Sequence, residues 1–88
     1  MTPEIHIASC VVRVRPEALA AAASMIDALP GAEVSARGTD RLVAVLEGQS
    51  TGDLLELVDA IQLIPAVYSV ALAYQHAENA TAMEESLS

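Results

Sequence analysis

Two histidines and one cysteine are the side chains in this sequence best suited to metal or thiol chemistry. His6 opens the first strand-like segment and His76 closes the last one, so they would lie near each other if those strands pair antiparallel. Zinc sites use three or four protein ligands, and we find no nearby third ligand of the right kind. Cys10 lies within an apolar run, where cysteine behaves as a small buried hydrophobic residue. We predict no metal site and no cofactor.

Arg15 stands at a strand-to-helix turn, where the N–H groups of a helix start could hold an anion. The glycine-rich loop that supports phosphate sites is missing from the sequence around it. We therefore interpret Arg15 as a neighbour that neutralises local acidic groups. No Ser–His–Asp set can be assigned either, and we predict that the chain is not an enzyme.

The charge of the chain is strongly acidic. Four basic residues, all arginine, stand against twelve Asp and Glu, which gives a formal net charge of −8 at pH 7. Because nucleic-acid phosphates require a basic surface, this composition argues against a nucleic-acid partner. An acidic surface favours either solubility alone or a basic partner.

The distribution of apolar residues and the cysteine count predict the cellular location of the chain. Apolar residues make up 53% of the sequence, but no uninterrupted apolar run approaches the roughly 18 residues that a membrane helix needs. Residues 1–9 lack the basic and apolar regions of a secretory signal peptide. A single cysteine is compatible with a reducing compartment. We expect a cytoplasmic protein without stable membrane insertion.

An internal repeat predicts the fold. Aligning Pro30 with Pro65, a spacing of about 35 residues, superimposes two strand–helix–strand units. Such a duplication predicts an α+β, ferredoxin-like βαββαβ domain. Right-handed crossovers then give a four-stranded antiparallel sheet in the order 4-1-3-2, with both helices on one face. We assign residues 1–76 to this domain and 77–88, which are rich in Ala, Glu and Ser, to a flexible acidic tail.

The local patterns predict the bounds of each element. We expect strands over 5–14, 32–37, 41–47 and 67–75, with the second and third forming a hairpin. Pro16 should begin the first helix, which continues to about Leu29 before Pro30-Gly31 ends it. Ser50 should cap the second helix, with Asp53 as the approximate partner of a capping box.

The sheet face opposite the helices is the candidate binding surface. If alternate residues from Ala8 to Val12 point at the helices, the residues between them lie on the other face. With the positions that the repeat and the fourth strand add, this predicted face consists of Ile7, Ser9, Val11, Leu42, Ala44, Leu46, Ser69, Ala71 and Ala73. An uncovered apolar face marks a partner or oligomer site. A homodimer of stacked sheets is one alternative, and an offset of one residue would exchange the two faces.

Four segments of the sequence resemble the NapD family. They are IASCVVRVRPE, ALPGAEV, RLVAVLEG and VYSVALAYQ, and the resemblance covers residues 5–76. The chain departs from the usual family pattern at three places. Cys10 replaces a common leucine, Ala66 stands where glycine is usual, and Tyr74-Gln75-His76 replaces Tyr-His-Gln.

The resemblance implies a ferredoxin-like fold and a non-catalytic role. It implies a cytoplasmic chaperone that binds the twin-arginine signal peptide of the periplasmic nitrate reductase catalytic subunit and delays its export until the cofactor is inserted. An apolar sheet face beside surplus carboxylates suits an apolar peptide headed by arginines. Glu33 and Glu47 are the candidates to bind those arginines. The alternative function is a small-molecule-sensing regulatory domain of the same fold that acts as a dimer.

Overall fold

The computed structural model describes the backbone of residues 4–79 and the side chains of residues 5–73. Its strands are β1 (Glu4–Val14), β2 (Ala32–Arg37), β3 (Arg41–Gly48) and β4 (Val67–Asn79), and its helices are α1 (Leu19–Asp27) and α2 (Thr51–Gln62). The sheet has the order β2-β3-β1-β4, and every neighbouring pair is antiparallel. The predicted βαββαβ fold and its strand order are confirmed.

The first helix begins later than the sequence predicted. Pro16 opens a single 3-10 turn, Pro16–Ala18, and α1 starts only at Leu19. The Ala18 N–H donates to the carbonyl of Arg15 at 2.9 Å, while the Arg15 N–H donates to the carbonyl of Ala66 at 2.9 Å. The second bond ties the end of β1 to the start of β4, so this turn is held to the sheet before the α-helix begins.

The start of α2 is capped as predicted. The Ser50 hydroxyl accepts from the Asp53 N–H at 3.1 Å. The Asp53 carboxylate accepts in turn from the Gln49 N–H at 2.9 Å, one residue before the cap. The two bonds satisfy donors at the start of the helix that would otherwise lack partners.

The core lies between the two helices and one face of the sheet. Its fully or almost fully buried members are Ala8, Cys10, Val12, Val14, Ala22, Ala23, Ile26, Leu42, Ala44, Leu46, Leu54, Ile61 and Ile64. All are apolar, and none of the buried described residues is polar or charged. Aliphatic burial of this kind, at roughly 25 cal/mol per Å² of apolar surface, is the main stabilising term available to a chain without Phe or Trp.

The predicted placement of Leu42, Ala44 and Leu46 on the uncovered face is wrong. All three side chains have 0% exposure and belong to the core. Their partners explain why, because Leu46 lies opposite Ala8 and Ala44 lies opposite Cys10, and directly paired residues share a face. The repeat of about 35 residues aligns the two helices correctly, but its alignment of β1 with β3 is wrong by one residue. Because successive residues of a strand point to opposite faces, this error assigned every residue of β3 to the wrong face.

The last strand is longer than predicted. It was expected to end at Gln75, but β4 continues to Asn79, which pairs with Glu4. The strand therefore crosses the expected boundary between the 1–76 domain and the 77–88 tail. The remainder of that expected tail, 80–88, lies outside the described residues.

Neither helix in the described part of the chain is long and apolar enough to cross a membrane.

Candidate functional site

The sheet face that the helices leave uncovered, here called the open face, is built mainly from β1 and β3. Ser9 lies opposite Val45 and Val11 lies opposite Val43. These four side chains and that of Ile7 are half-buried although no helix covers them. We call these five residues the apolar strip. Ile7, Ser9 and Val11 lie where the sequence placed them, and Val43 and Val45 replace the three misplaced residues of β3.

Sequence reasoning missed Val43 and Val45 although one signal identified them. Both alternating sets of β3 are apolar, so hydrophobicity alone does not separate the faces. Only one set, however, continues into charged residues, because Arg41 and Glu47 share the alternation of Val43 and Val45. Charged side chains are almost never fully buried without a partner, so that set belongs on the open face.

The edge strand β4 adds small side chains to the open face. Ser69 lies opposite Arg13 and Ala71 lies opposite Val11, and both are exposed. Ala73 was predicted to join them, but it is the extra residue of a β-bulge and lies opposite no residue of β1. The pairing of β4 with β1 therefore does not determine on which sheet face Ala73 lies. Ser69 and Ala71 lie on the open face, as predicted.

Two carboxylates mark one end of the apolar strip. Glu47 lies opposite Ile7 and Glu33 lies opposite Val45, and both are exposed on the open face. Glu33 and Glu47 are diagonal neighbours in the antiparallel ladder, and the backbones of such residues are about 7–8 Å apart. With Gly31, Ala32 and Val45 they line a depression of about 250 Å³. Neither carboxylate forms an ion pair with a described residue, so both are available to a cationic ligand.

Gly31 sets the backbone beneath this acidic end. Its φ of 90° lies in the left-handed region, and its carbonyl accepts from the Glu47 N–H at 2.7 Å. A Cβ at this position would lie 2.6 Å from the Glu47 carbonyl oxygen. A residue without a side chain is therefore needed to bring the start of β2 against the end of β3, which places Glu33 close to Glu47.

Two arginines mark the opposite end of the apolar strip. Arg13 lies directly opposite Arg41 on the open face. Asp40 separates their charges, with its carboxylate 3.7 Å from an Arg13 Nη atom and 3.3 Å from Arg41 Nε. Because one carboxylate is shared by two guanidinium groups, the described residues at this end of the strip carry a net positive charge. Sequence reasoning did not assign either arginine to the open face.

The structure separates the candidate for thiol chemistry from the two candidates for metal chemistry, because Cys10 lies in the core whereas His6 and His76 lie near one another in the register of β1 and β4. Cys10 is fully buried in the core, and burial raises the pKa of its thiol from the ordinary value of 9.0. His76 lies opposite Ile7, next to the residue that pairs with His6. No group of three or more His, Cys, Asp or Glu residues suited to a metal occurs within the described part of the chain. Arg15 lies with its Nε 3.6 Å from a Glu17 carboxylate oxygen, as a local counter-charge.

These features define a ferredoxin-like domain with an uncovered sheet face, apolar along its length and oppositely charged at its two ends. The model of the NapD protein family matches residues 5–79, and the chain therefore belongs to the NapD family. It is 37% identical over 71 residues to the chaperone NapD of Paracoccus pantotrophus, covering 81% of this chain and 63% of that protein. The chain thus spans slightly less than two thirds of that relative.

Two solved structures share the fold. The solution structure of the E. coli Tat proofreading chaperone NapD superimposes with a TM-score of 0.79 at 24% identity, covering 84% of this chain and 80% of that one. A transcriptional regulator of the AsnC family from Pyrococcus furiosus superimposes with a TM-score of 0.61 at 24% identity, covering 86% of this chain and 51% of that one. The fold is therefore shared by proteins of different function, as is usual for this architecture.

Proposed function

We propose that this protein is a cytoplasmic, non-catalytic chaperone for the precursor of the periplasmic nitrate reductase catalytic subunit. It binds the twin-arginine signal peptide of that precursor and delays export until the cofactor has been inserted. Membership of the NapD family supports this proposal. The observation that carries it is the combination, on one surface, of an apolar strip that neither helix covers and the exposed carboxylates of Glu33 and Glu47, which form no ion pair with a described residue.

The chemistry of the open face matches the two parts of such a peptide. Signal peptides have a positively charged first region and an apolar region of about 7–15 residues. The apolar strip covers the apolar region, and the release of water from both surfaces provides most of the affinity. Glu33 and Glu47 bind the arginines through charge-assisted hydrogen bonds, which an arginine forms bidentately with a carboxylate.

Binding delays export by simple competition. While the arginines contact Glu33 and Glu47 and the apolar region lies on the open face, the export machinery has no access to either part. The precursor is exported only from its unbound fraction, which falls as the chaperone concentration exceeds the dissociation constant. This step requires no covalent chemistry, and the proposal assigns none to the chain.

Calorimetric titration with a synthetic leader peptide of the nitrate reductase precursor tests this function. We expect saturable binding to the purified chain, and weaker binding of a leader in which both arginines are replaced by glutamine. The doubly substituted Glu33→Gln, Glu47→Gln protein should bind the native leader roughly two- to tenfold more weakly at low salt. This loss should shrink as salt is raised, because exposed ion pairs are screened.

A second double variant controls for the change in net charge. Glu17→Gln with Asp59→Asn removes the same two charges from exposed positions outside the open face, and it should leave binding unchanged. Equal losses in both double variants would show that overall charge, and not the acidic end of the strip, attracts the arginines. No binding of the native leader at all would overturn the proposed function.

The alternative of a small-molecule-sensing dimer makes different predictions. Such a protein would sediment as a dimer, would melt at a higher temperature with its metabolite, and would be indifferent to the leader. The proposed chaperone responds to the leader and to no small metabolite. Sedimentation and thermal melting, each with and without leader, therefore separate the two functions.

A further inference from the structure

We infer that Arg13 and Arg41 form a second charged subsite that binds the C-terminal end of the signal peptide and fixes its direction on the open face, with the arginines of the peptide at Glu33 and Glu47. This inference rests on the proposed function and adds to it a second charged subsite, formed by the two arginines. It also adds a direction for the ligand.

The polarity of the open face follows from the register of the two central strands. Along β1 the open-face positions run from Ile7 to Arg13, and along β3 they run in the opposite chain direction from Glu47 to Arg41. Charges of the same sign are therefore grouped at the same end of the open face. The Glu47 carboxylate lies beside Ile7 at one end, and Arg13 and Arg41 face each other at the other end. The open-face positions between these ends are uncharged on both strands. A bound peptide thus meets opposite potentials at its two ends.

The length of the strip favours a helical ligand. From Arg41 to Glu47 the strand covers about 20 Å, at roughly 3.3 Å per residue. A helix of that length contains about 13 residues, at 1.5 Å per residue, which agrees with the roughly 7–15 residues of the apolar region of a signal peptide. An extended peptide would cover the same distance with about six residues, leaving much of that apolar region in water.

The chemistry of a helix end suits Arg13 and Arg41. The last four carbonyl groups of a helix have no partner within it, and that end carries a partial negative charge. Among the residues whose side chains are described, the two guanidinium groups share a single carboxylate, that of Asp40, so they keep N–H donors for those carbonyls. Beside them, Ser69 and Ala71 have short side chains that leave room for the helix. A reversed peptide would instead bring its own arginines against Arg13 and Arg41.

Paramagnetic labels on the leader peptide test the orientation directly. A nitroxide is attached through maleimide to a cysteine added at either the first or the last position of the peptide, and amide signals of the full-length protein are recorded. We expect the C-terminal label to broaden the amides of Arg13 and Arg41 and the N-terminal label to broaden those of Glu33 and Glu47. The opposite pattern, or equal broadening at both ends by either label, would overturn the inference while leaving peptide binding established. Absence of any binding would instead overturn the proposed function.

A charge reversal tests the second subsite. Arg13→Glu should weaken leader binding about two- to fivefold, the effect expected for a charge at a helix end. Arg15→Glu makes the same charge change just beyond β1, where Arg15 pairs with Glu17, and should change affinity much less. A leader with lysines added after its apolar region should bind Arg13→Glu better than it binds the wild type. Equal effects of the two substitutions, or no recovery with the lysine-bearing leader, would exclude the subsite.

Discussion

Gly31 and Ala66 occupy equivalent turns in the two halves of the chain, and both have a left-handed backbone, with φ angles of 90° and 73°. Each follows the proline that comes after a helix and precedes the strand that returns to the sheet. Glycine adopts this conformation without steric cost, whereas for an L-residue it costs roughly 1–2 kcal/mol. The second half of the chain therefore carries backbone strain that the first half avoids.

We expect Ala66→Gly to stabilise the protein. Relief of the strained backbone should outweigh the added freedom of glycine in the unfolded chain and leave a gain of about 1 kcal/mol. Urea unfolding followed by circular dichroism would show this as a higher midpoint with an unchanged slope. A lower midpoint would show that Ala66 is not strained in solution.

The reciprocal change, Gly31→Ala, should be strongly destabilising. It adds the same left-handed strain, and its Cβ would lie 2.6 Å from the Glu47 carbonyl oxygen. We expect a loss of about 3 kcal/mol, the upper part of the usual range for single substitutions, in the same urea assay. A loss no larger than that of an ordinary surface substitution would contradict the close approach of β2 to β3.

Adjacent residues of β3 should respond oppositely to the same substitution. Ala44→Arg would place an unpaired charge in the core, where Ala44 is fully buried, and this should unfold the protein or reduce its stability by several kcal/mol. Val45→Arg should leave the protein folded, because the long side chain of the new arginine can lie along the open face with its charge in water. Thermal unfolding of both variants tests the corrected face assignment. Similar stability of the two variants would contradict it.

The two helix-terminating prolines and the Ser50 cap could be predicted because each acts through its immediate chain neighbours. Which residues of β3 point at the helices depends instead on how β1 and β3 pair. The internal repeat predicted this wrongly, because it aligned the two strands with an offset of one residue. Arg41 and Glu47 carried the missing information, since their charges mark the solvent side of the strand. The bulge at Ala73 and the pairing of Arg13 with Arg41 depend on tertiary register alone, and no local pattern indicates them.

The buried thiol of Cys10 should make stability fall at alkaline pH. Burial raises its pKa in the folded protein from 9.0, so the thiol ionises first in the unfolded chain. The stabilisation that comes from this shift is therefore fully present below pH 9.0 and is lost as pH rises through the folded-state pKa. Urea unfolding between pH 7.5 and about pH 10 should show a steeper loss for the wild type than for Cys10→Ala. Parallel loss in both proteins would show that other groups cause the decline.

The central claim is that the open face binds the leader peptide, and titration of Ser9→Arg tests it most directly. Ser9 lies in the middle of the apolar strip, opposite Val45, and an arginine there would be solvated in the free protein but buried in the complex. Leu55→Arg, at an exposed position on α2, is the matched control with the same added charge. Circular dichroism should show native secondary structure in both variants.

We expect Ser9→Arg to weaken leader binding about tenfold or more, because a factor of ten needs only about 1.4 kcal/mol and an unpaired buried charge costs more than that. Leu55→Arg should bind the leader as the wild type does. A folded Ser9→Arg protein that binds the leader with unchanged affinity would contradict binding by the open face.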